Sequence, residues 1–510
     1  MMVTKKSHFR VGEVVGWALP TLLTVLLSAC TLGDDFVHPD SPNTETYTSE
    51  KPHINGQTLQ IGKEIPAQWW MLFRSPQLGK LIEQALKHSP DLQAAQATLS
   101  NTTEQAIAQQ SSLLPAIDAG FSAKRQKISG AQYGNPNVPG TQFSVYSPSV
   151  TVSYTLDVFG SVRRQIETLM AQADYQHFQL EGAFLVLSGN IVTTAITEAA
   201  VREQISVTEN LTKLRSQQLD IIKQQQNLGS ATQADVLSQQ TAVEQERANL
   251  PPLQKQLQQT RHHLAVLVGE TPDHELPIFT LADLKLPKEL PLSLPSKLVT
   301  QRPDIRGQEA LLKAANAQIG VVAAQMFPNF TLTASVASIA TQMGDLFMPG
   351  SGIWNTGLNI LQPIFHGGQN VHQYRATVAA YEAAAARYRS TVLLALQNVA
   401  DTLSALEADS NAINAQTTVL QTAQASLELN RVQYKVGAVS YLATLNAENA
   451  YQQARIGLIK AQASQLGNTV ALFQALGGGW WQRADLAKEL AAQQTRKDPA
   501  WLPYFDWSFK

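Results

Sequence analysis

Cys30 is the residue whose type and position most directly offer chemistry, and it is the single cysteine of the 510-residue chain. It follows a basic segment (Lys5, Lys6, Arg10) and a mostly apolar stretch from Val11 to Leu27, with the small residues Ser28 and Ala29 just before it, as at a secretory cleavage site. A lone thiol cannot close a disulfide within the chain. What it offers at that position is a thiol open to covalent modification once the segment before it is removed. A short transmembrane anchor with an incidental cysteine is the alternative. The other chemistry-bearing residues do not converge. His262 and His263 are adjacent, which puts them on different sides of a helix, and no HExxH or Cys-His spacing for a metal is present. No GxSxG, Walker loop or GxGxxG stands in a strand-to-helix context, and Gly477-Gly478-Gly479 before Trp480-Trp481 reads as a helix stop. The expectation is a protein that is not an enzyme and needs no cofactor. A net charge of -2 supplies no concentrated cation to displace counterions, so no nucleic-acid partner is expected.

The elements that would position such an anchor are written twice. Ser89-Pro90-Asp91-Leu92 recurs as Arg302-Pro303-Asp304-Ile305, and Pro115 as Pro328. Leu228-Gly229 recurs as Val436-Gly437, and the same spacing carries Leu237 onto Leu445, Leu264 onto Leu472 and Gly269 onto Gly477. Each half runs from a Pro-Asp helix start through a proline stop and two short alternating stretches into two long helices. Proline at the first helical position loses no hydrogen bond, and aspartate there faces the positive end of the dipole.

Residues 160–228 and 368–436 contain no proline and are rich in Gln, Ala and Leu, so each predicts a continuous helix of roughly 100 Å. Return helices are expected over 231–268 and 439–476. In 368–436 apolar residues fall every seven positions, at Val392, Val399, Leu406, Ile413, Leu420, Leu427 and Tyr434. Val236, Val243, Leu250, Leu257 and Leu264 keep that register, with Leu253 and Leu267 at the companion position. The seam is thin, so several hairpins side by side, or a self-contained bundle, would be needed to bury it. Pro251-Pro252 predicts a kink or break. Residues 271–295 predict an outer connection between halves, and no uninterrupted apolar run of about 18 residues follows Cys30.

The short stretches differ in kind. Residues 116–128, 142–158, 329–341 and 353–362 alternate apolar with small or polar side chains, as Val150, Val152, Tyr154 and Leu156 do. Alternation over about ten residues is the pattern of membrane barrel strands. Gly, Pro and Asn crowd the turns between them, and Tyr154, Phe159, Trp354 and Phe365 are candidates for an interfacial aromatic girdle. Four strands cannot close a barrel, and an open edge in lipid leaves backbone groups unpaired. Three copies would supply twelve strands, which makes a homotrimer the expectation. A lipid-anchored coiled-coil spacer without a pore would explain Cys30 and the heptads but not the duplicated strand pairs.

These residues together resemble the outer-membrane efflux proteins of the TolC, OprM and NodT type, in their lipoprotein branch. The resemblance rests on Gly33-Asp34-Asp35-Phe36-Val37-His38-Pro39 after Cys30, on Trp69-Trp70-Met71-Leu72-Phe73-Arg74-Ser75-Pro76-Gln77-Leu78 with Leu81, on Tyr154-Thr155-Leu156-Asp157-Val158-Phe159-Gly160, and on Arg302-Pro303-Asp304-Ile305 with Phe327-Pro328. The segment around Cys30 is similar to a lipobox, and Thr31, not being aspartate, implies outer-membrane sorting with an N-palmitoyl and S-diacylglycerol lipid on Cys30.

The fold class so implied is mainly α with a small membrane β-barrel contribution: internally duplicated, with long antiparallel coiled-coil helices that form a trimeric α-barrel below a 12-stranded β-barrel. The corresponding domain plan is a signal peptide over 1–29, an anchor, extended segment and equatorial helix over 30–88, a first repeat over 89–270, a connection over 271–301, a second repeat over 302–478, and a tail over 479–510. The implied function is a passive exit duct of a tripartite efflux system, in the outer membrane with a long periplasmic portion, partnered by a periplasmic adaptor and an inner-membrane pump. Its helix tips, Leu228-Gly229 and Val436-Gly437, would meet the adaptor. Asp235 and Tyr434 occupy positions similar to the carboxylate and phenol that hold the family's entrance closed. Where many members carry lumen-facing aspartates this chain has Ala443 and Asn446, so weaker cation selectivity is expected.

Overall fold

The structure is a computed structural model that describes residues 31–134 and 137–483. The expected signal segment, Cys30 and the tail beyond Arg483 lie outside the described residues. The chain forms β1 (Thr58–Ile61), α1 (Pro76–His88), α2 (Pro90–Gln110), β2 (Ala116–Ile128), β3 (Thr141–Leu156), α3 (Ser161–Asn227), α4 (Gln233–Val268), β4 (Glu289–Leu292), α5 (Pro295–Gln301), α6 (Pro303–Ala324), β5 (Asn329–Ser338), β6 (Gly352–Leu361), α7 (Gln369–Lys435) and α8 (Tyr441–Ala475). Pro90 and Pro303 open α2 and α6, each with an aspartate in the first turn, as the Pro-Asp pairs predict. The long helices α3 and α7 are each 67 residues without interruption.

Two compact units are present, and they do not follow the sequence repeats. Of the described residues, one takes 31–38, 100–175 and 309–387, and the other 39–99, 176–308 and 388–483. Each unit therefore draws on both repeats, because equivalent elements pack beside one another rather than within their own half.

The first unit holds the four-stranded sheet, in the order β2-β3-β5-β6, antiparallel throughout. Its strands start at or within a residue of the alternating stretches that announce them, and the central junction pairs β3 of one repeat with β5 of the other.

The second unit is built on the heptad seams. Val399 and Leu406 of α7 are fully buried, Val392 and Leu427 nearly so, and Ile413 and Leu420 half-buried. Val236, Val243 and Leu264 of α4 are buried in the same way. One 18-residue window of α3 is apolar enough for a membrane helix by composition, yet 67% of it is buried in the chain itself, around Ile191, Val192 and Ala195. That window is core. The Trp motif is core as well: Trp69 lies 5.6 Å from Phe473 between ring centroids, and Phe73 lies 6.3 Å from it.

Of the kink or break expected at Pro251-Pro252, the break does not occur: both prolines sit inside α4, which continues through them from Gln233 to Val268. The donors they lack would have paired with carbonyls of Arg247 and Ala248, and both residues are exposed, so water takes the place of the missing bonds. The connection after α4 is mostly exposed from residue 271 to 289, with Phe279 and Leu290 fully buried as anchors, and β4 pairs in parallel with β1, Thr58 opposite Glu289 and Ile61 opposite Leu292.

Candidate functional site

The sheet of the first unit separates its two faces by chemistry. Directly opposed residues in antiparallel strands share a face. One row therefore runs Ala119, Val150, Val336, Trp354, and the next along the same face runs Ile117, Val152, Ala334, Thr356. Tyr154, Leu332 and Leu358 extend that apolar face. The row between them, on the other face, is Asp118, Thr151, Ser335, Asn355, flanked by Ser153, Thr333 and Gly357. Val336 is 66% exposed and Trp354 75%, so the apolar face is bare within one chain. The outer edges of β2 and β6 pair with no other strand among the described residues. Phe347, Ile364 and Phe365 stand almost fully exposed at the two ends of β6. Of the expected girdle, Trp354 and Phe365 are exposed, while Phe159 packs on Phe327 with ring centroids 4.9 Å apart.

In the second unit, the ends of α3 and α7 are built alike. After α3, the Ser230 N–H donates to Gln225 O at 2.8 Å and the Gly229 N–H to Gln226 O at 2.9 Å. After α7, Ala438 donates to Gln433 O at 2.8 Å and Gly437 to Tyr434 O at 3.0 Å. Both are Schellman closures, which need a left-handed residue that glycine supplies at φ +80° and +75°. The closures leave Leu228 84% and Val436 75% exposed, two apolar side chains at the turns. Thr232 and Ser440 then cap the return helices.

Asp235 and Tyr434 do not bond each other. Asp235 closes a capping box: its carboxylate accepts from the Thr232 hydroxyl at 2.6 Å and the Thr232 N–H at 2.9 Å, which holds its pKa below the ordinary value. The Tyr434 hydroxyl donates to Gln225 Oε1 at 3.3 Å, and its ring meets Tyr441 edge to face at 5.6 Å. Asn446 is exposed.

What joins the two hairpins is a buried polar layer that the sequence reading missed. Gln239 is 0% exposed, Glu448 1% and Arg215 3%. Arg215 of α3 donates to Ala242 O at 3.1 Å, pairs with Glu246 of α4 at 3.4 Å, and bonds the Asn449 side chain of α8. Gln218 of α3 donates to Glu448 of α8 at 3.1 Å, and Arg431 of α7 pairs with the same carboxylate at 3.1 Å. The Tyr441 hydroxyl of α8 lies 2.7 Å from Gln239 Oε1 and 3.1 Å from Gln218 Oε1. The available signal was positional. Gln239 and Glu246 occupy the companion seam position that Leu253 and Leu267 hold further along α4, and a polar residue in a seam marks a specific partner.

Burial, and secondarily the Glu448 carboxylate, pushes the Tyr441 phenol well above its ordinary 10.0. A raised phenol contributes stability that is full below the unfolded value and is lost as pH rises above about 10 toward the folded value. The expected result is that the heat-dissociation temperature of the purified protein falls more steeply above pH 10 in wild type than in Tyr441→Phe. Parallel curves would remove the phenol from the layer. Among the described residues no cluster of three metal-ligating side chains occurs.

Comparison with known proteins agrees with these elements. The description "Outer membrane efflux protein" matches residues 81–270 and 294–478, two stretches that together cover well over half of the chain. The toluene efflux pump outer membrane protein TtgC of Pseudomonas putida is 30% identical over 475 residues, 92% of this chain and 97% of that one. Among solved structures, the outer-membrane channel OprN superposes with a TM-score of 0.80 at 25% identity, over 88% of this chain and 100% of that one. The open-state MtrE channel of Neisseria gonorrhoeae gives 0.78 at 27% identity, over 89% and 99%. With the family description matched over more than half of the chain and a relative aligned along nearly its whole length, the chain belongs to the outer membrane efflux protein family.

Proposed function

We propose that this protein is the outer-membrane channel of a tripartite efflux system, a homotrimeric, passive exit duct anchored by lipid on Cys30. The observation that carries the reading is the sheet: one apolar face, one polar face and two unpaired edges. In lipid such edges must be closed, and four strands from each of three copies make a twelve-stranded barrel with the apolar face outward and the Asp118-Thr151-Ser335-Asn355 row lining water. The hairpins of the three copies would then continue the wall as a helical tube, each covering its neighbour's thin seam. The bare apolar tips at Leu228 and Val436 suit docking by a periplasmic adaptor, which would hand over solute from an inner-membrane pump. Adaptor binding opens the entrance only insofar as it favours the open arrangement over the closed one. The duct catalyses nothing, and Ala443 and Asn446 leave its mouth without an acidic ring at those positions.

The test is the mass of the purified, acylated protein in mild detergent together with its single-channel conductance in planar bilayers. A trimer with small, flickering conductance is expected. A monomer, or a trimer that never conducts even with loosened tips, overturns the reading in favour of a lipid-anchored spacer.

A further inference from the structure

The residues just after Cys30 do not hang free; they lie in a fitted groove of the first unit. The groove starts at the corner between β3 and α3. There Asp157 caps α3 by accepting from the Val162 N–H at 2.9 Å and the Arg163 N–H at 3.0 Å, and it also accepts from the Arg163 guanidinium at 3.1 Å. Phe159 at the same corner accepts from the Leu32 N–H at 3.2 Å. The floor is glycine. A Cβ on Gly160 would overlap the Thr31 side chain, one on Gly320 of α6 would come 2.7 Å from Leu32 O, and one on Gly33 would come 2.8 Å from the Gly320 Cα. Above the floor, Arg164 is buried to 7% side-chain exposure, and its fork is spent on this segment. Its Nε donates to Leu32 O at 3.1 Å, and its Nη2 to Gly33 O at 2.7 Å and to Asp35 at 3.0 Å. Glu167 holds the remaining nitrogen at 2.7 Å. Further along, Asn316 of α6 donates to Asp34 O at 2.8 Å, and His38 bonds Glu309.

We infer that Arg164, Gly160 and Gly320 form a docking seat for the chain's own segment Thr31–His38, which ties the lipid anchor to the foot of the membrane strands. The inference rests on the reading of Cys30 as the lipidated residue. A guanidinium taken out of water is costly unless its donors are satisfied, and here the satisfying acceptors are two main-chain carbonyls and a carboxylate of the segment. Arg164 and the segment therefore hold each other. The corner they share ends β3 at Leu156, so the backbone leading to Cys30 sets out from the level where the strand meets the helix. An anchor leashed there cannot drift along the bilayer surface independently of the channel wall. The seat also accounts for two motifs at once: the glycine and acidic residues after Cys30 and the Asp157-Val158-Phe159-Gly160 corner are the two sides of one contact.

The experiment is hydrogen exchange by mass spectrometry on the full-length acylated protein, following the Leu32 amide and, as control, strands β3 and β5. Gly33→Val changes only the segment, so the rest of the unit keeps its packing; Arg164→Gln removes the fork. Release of the segment, by the clash of a Cβ at position 33 with Gly320 in one variant and by loss of the charged hydrogen bonds in the other, predicts that Leu32 exchanges at least about tenfold faster in both while the strand amides are unchanged. A Leu32 amide that exchanges at the unprotected rate in wild type, or that keeps its protection in Gly33→Val, overturns the seat. If Arg164→Gln also speeds the strands, Gly33→Val alone decides. Radiolabelled palmitate incorporation, lost in Cys30→Ala, reports separately on the anchor. Absence of label defeats the lipid reading while leaving the exchange result to judge the seat.

Discussion

Arg215→Ala is expected to raise the mean single-channel conductance several-fold, and to do so more than the double change Asp235→Ala with Tyr434→Phe. The layer around Arg215 is the place near the tips where buried polar groups join α3 and α4 to α7 and α8. Arg215 bonds Asn449, Gln218 bonds Glu448, and the Tyr441 phenol reaches back to Gln239. One hairpin cannot swing from the other at this level without breaking those bonds. Removing one member of a buried ion-paired set leaves the others desolvated and unpaired, at about 3 kcal/mol or more, equivalent to roughly a hundredfold change in an equilibrium between arrangements. Asp235, by contrast, is spent on Thr232 within its own turn, and Tyr434 reaches across by a 3.3 Å bond to Gln225. Their loss frays a cap and removes one long link, a smaller change than stripping a buried cation from its partners. Planar-bilayer recordings of the three proteins decide the matter. An Arg215→Ala channel indistinguishable from wild type, beside a double variant that opens, would return the latch to Asp235 and Tyr434.

Why the sequence shows the strands so well and the polar layer so poorly follows from what each pattern encodes. A strand in a two-faced sheet must alternate, because successive side chains point to opposite sides, so Val150, Val152 and Tyr154 announce a face before any partner is known. The helix lengths are equally open to view, since the two Schellman glycines and the cap residues Thr232 and Ser440 stand at equivalent places in the repeat. The layer is different. Gln239 and Glu448 carry the same residue types that cover the solvated sides of α4 and α8, and only their seam positions set them apart. The pairing of β1 with β4 was hidden for another reason: four-residue parallel strands from distant parts of the chain have no local signature, and the register from Thr58 opposite Glu289 is set by burial of Leu290 and Leu292. That α4 runs through Pro251 and Pro252 without a break is not legible because sequence does not tell which carbonyls water can reach. The Arg164 seat likewise joins residues more than a hundred positions apart, and half of it consists of glycines whose only signal is what they leave out.

The sharpest test of which sheet face meets lipid uses neighbours in one strand. Val336→Lys is expected to abolish heat-resistant trimers in the outer membrane, whereas Ser335→Lys should assemble normally and pass less cation current. Val336 lies on the apolar face two residues before the end of β5, opposite Val150 on one side and Trp354 on the other, and it is 66% exposed within a single chain. A lysine on the lipid side costs up to about 4 kcal/mol, the cost growing with depth, and a closed ring of three chains suffers it three times over. That total rivals the whole stability of an ordinary domain. Ser335 is one residue away and faces the other side, in the row of Asp118, Thr151 and Asn355. A lysine there stays in water, where it costs little for folding and repels cations from the passage. Because the two positions share strand, register neighbours and propensity, general damage to β5 would affect both alike. If Ser335→Lys fails to assemble while Val336→Lys forms trimers, the faces are reversed. If both assemble and conduct as wild type, the sheet is not the membrane wall, and the unpaired edges of β2 and β6 must be covered by something other than a second copy in lipid.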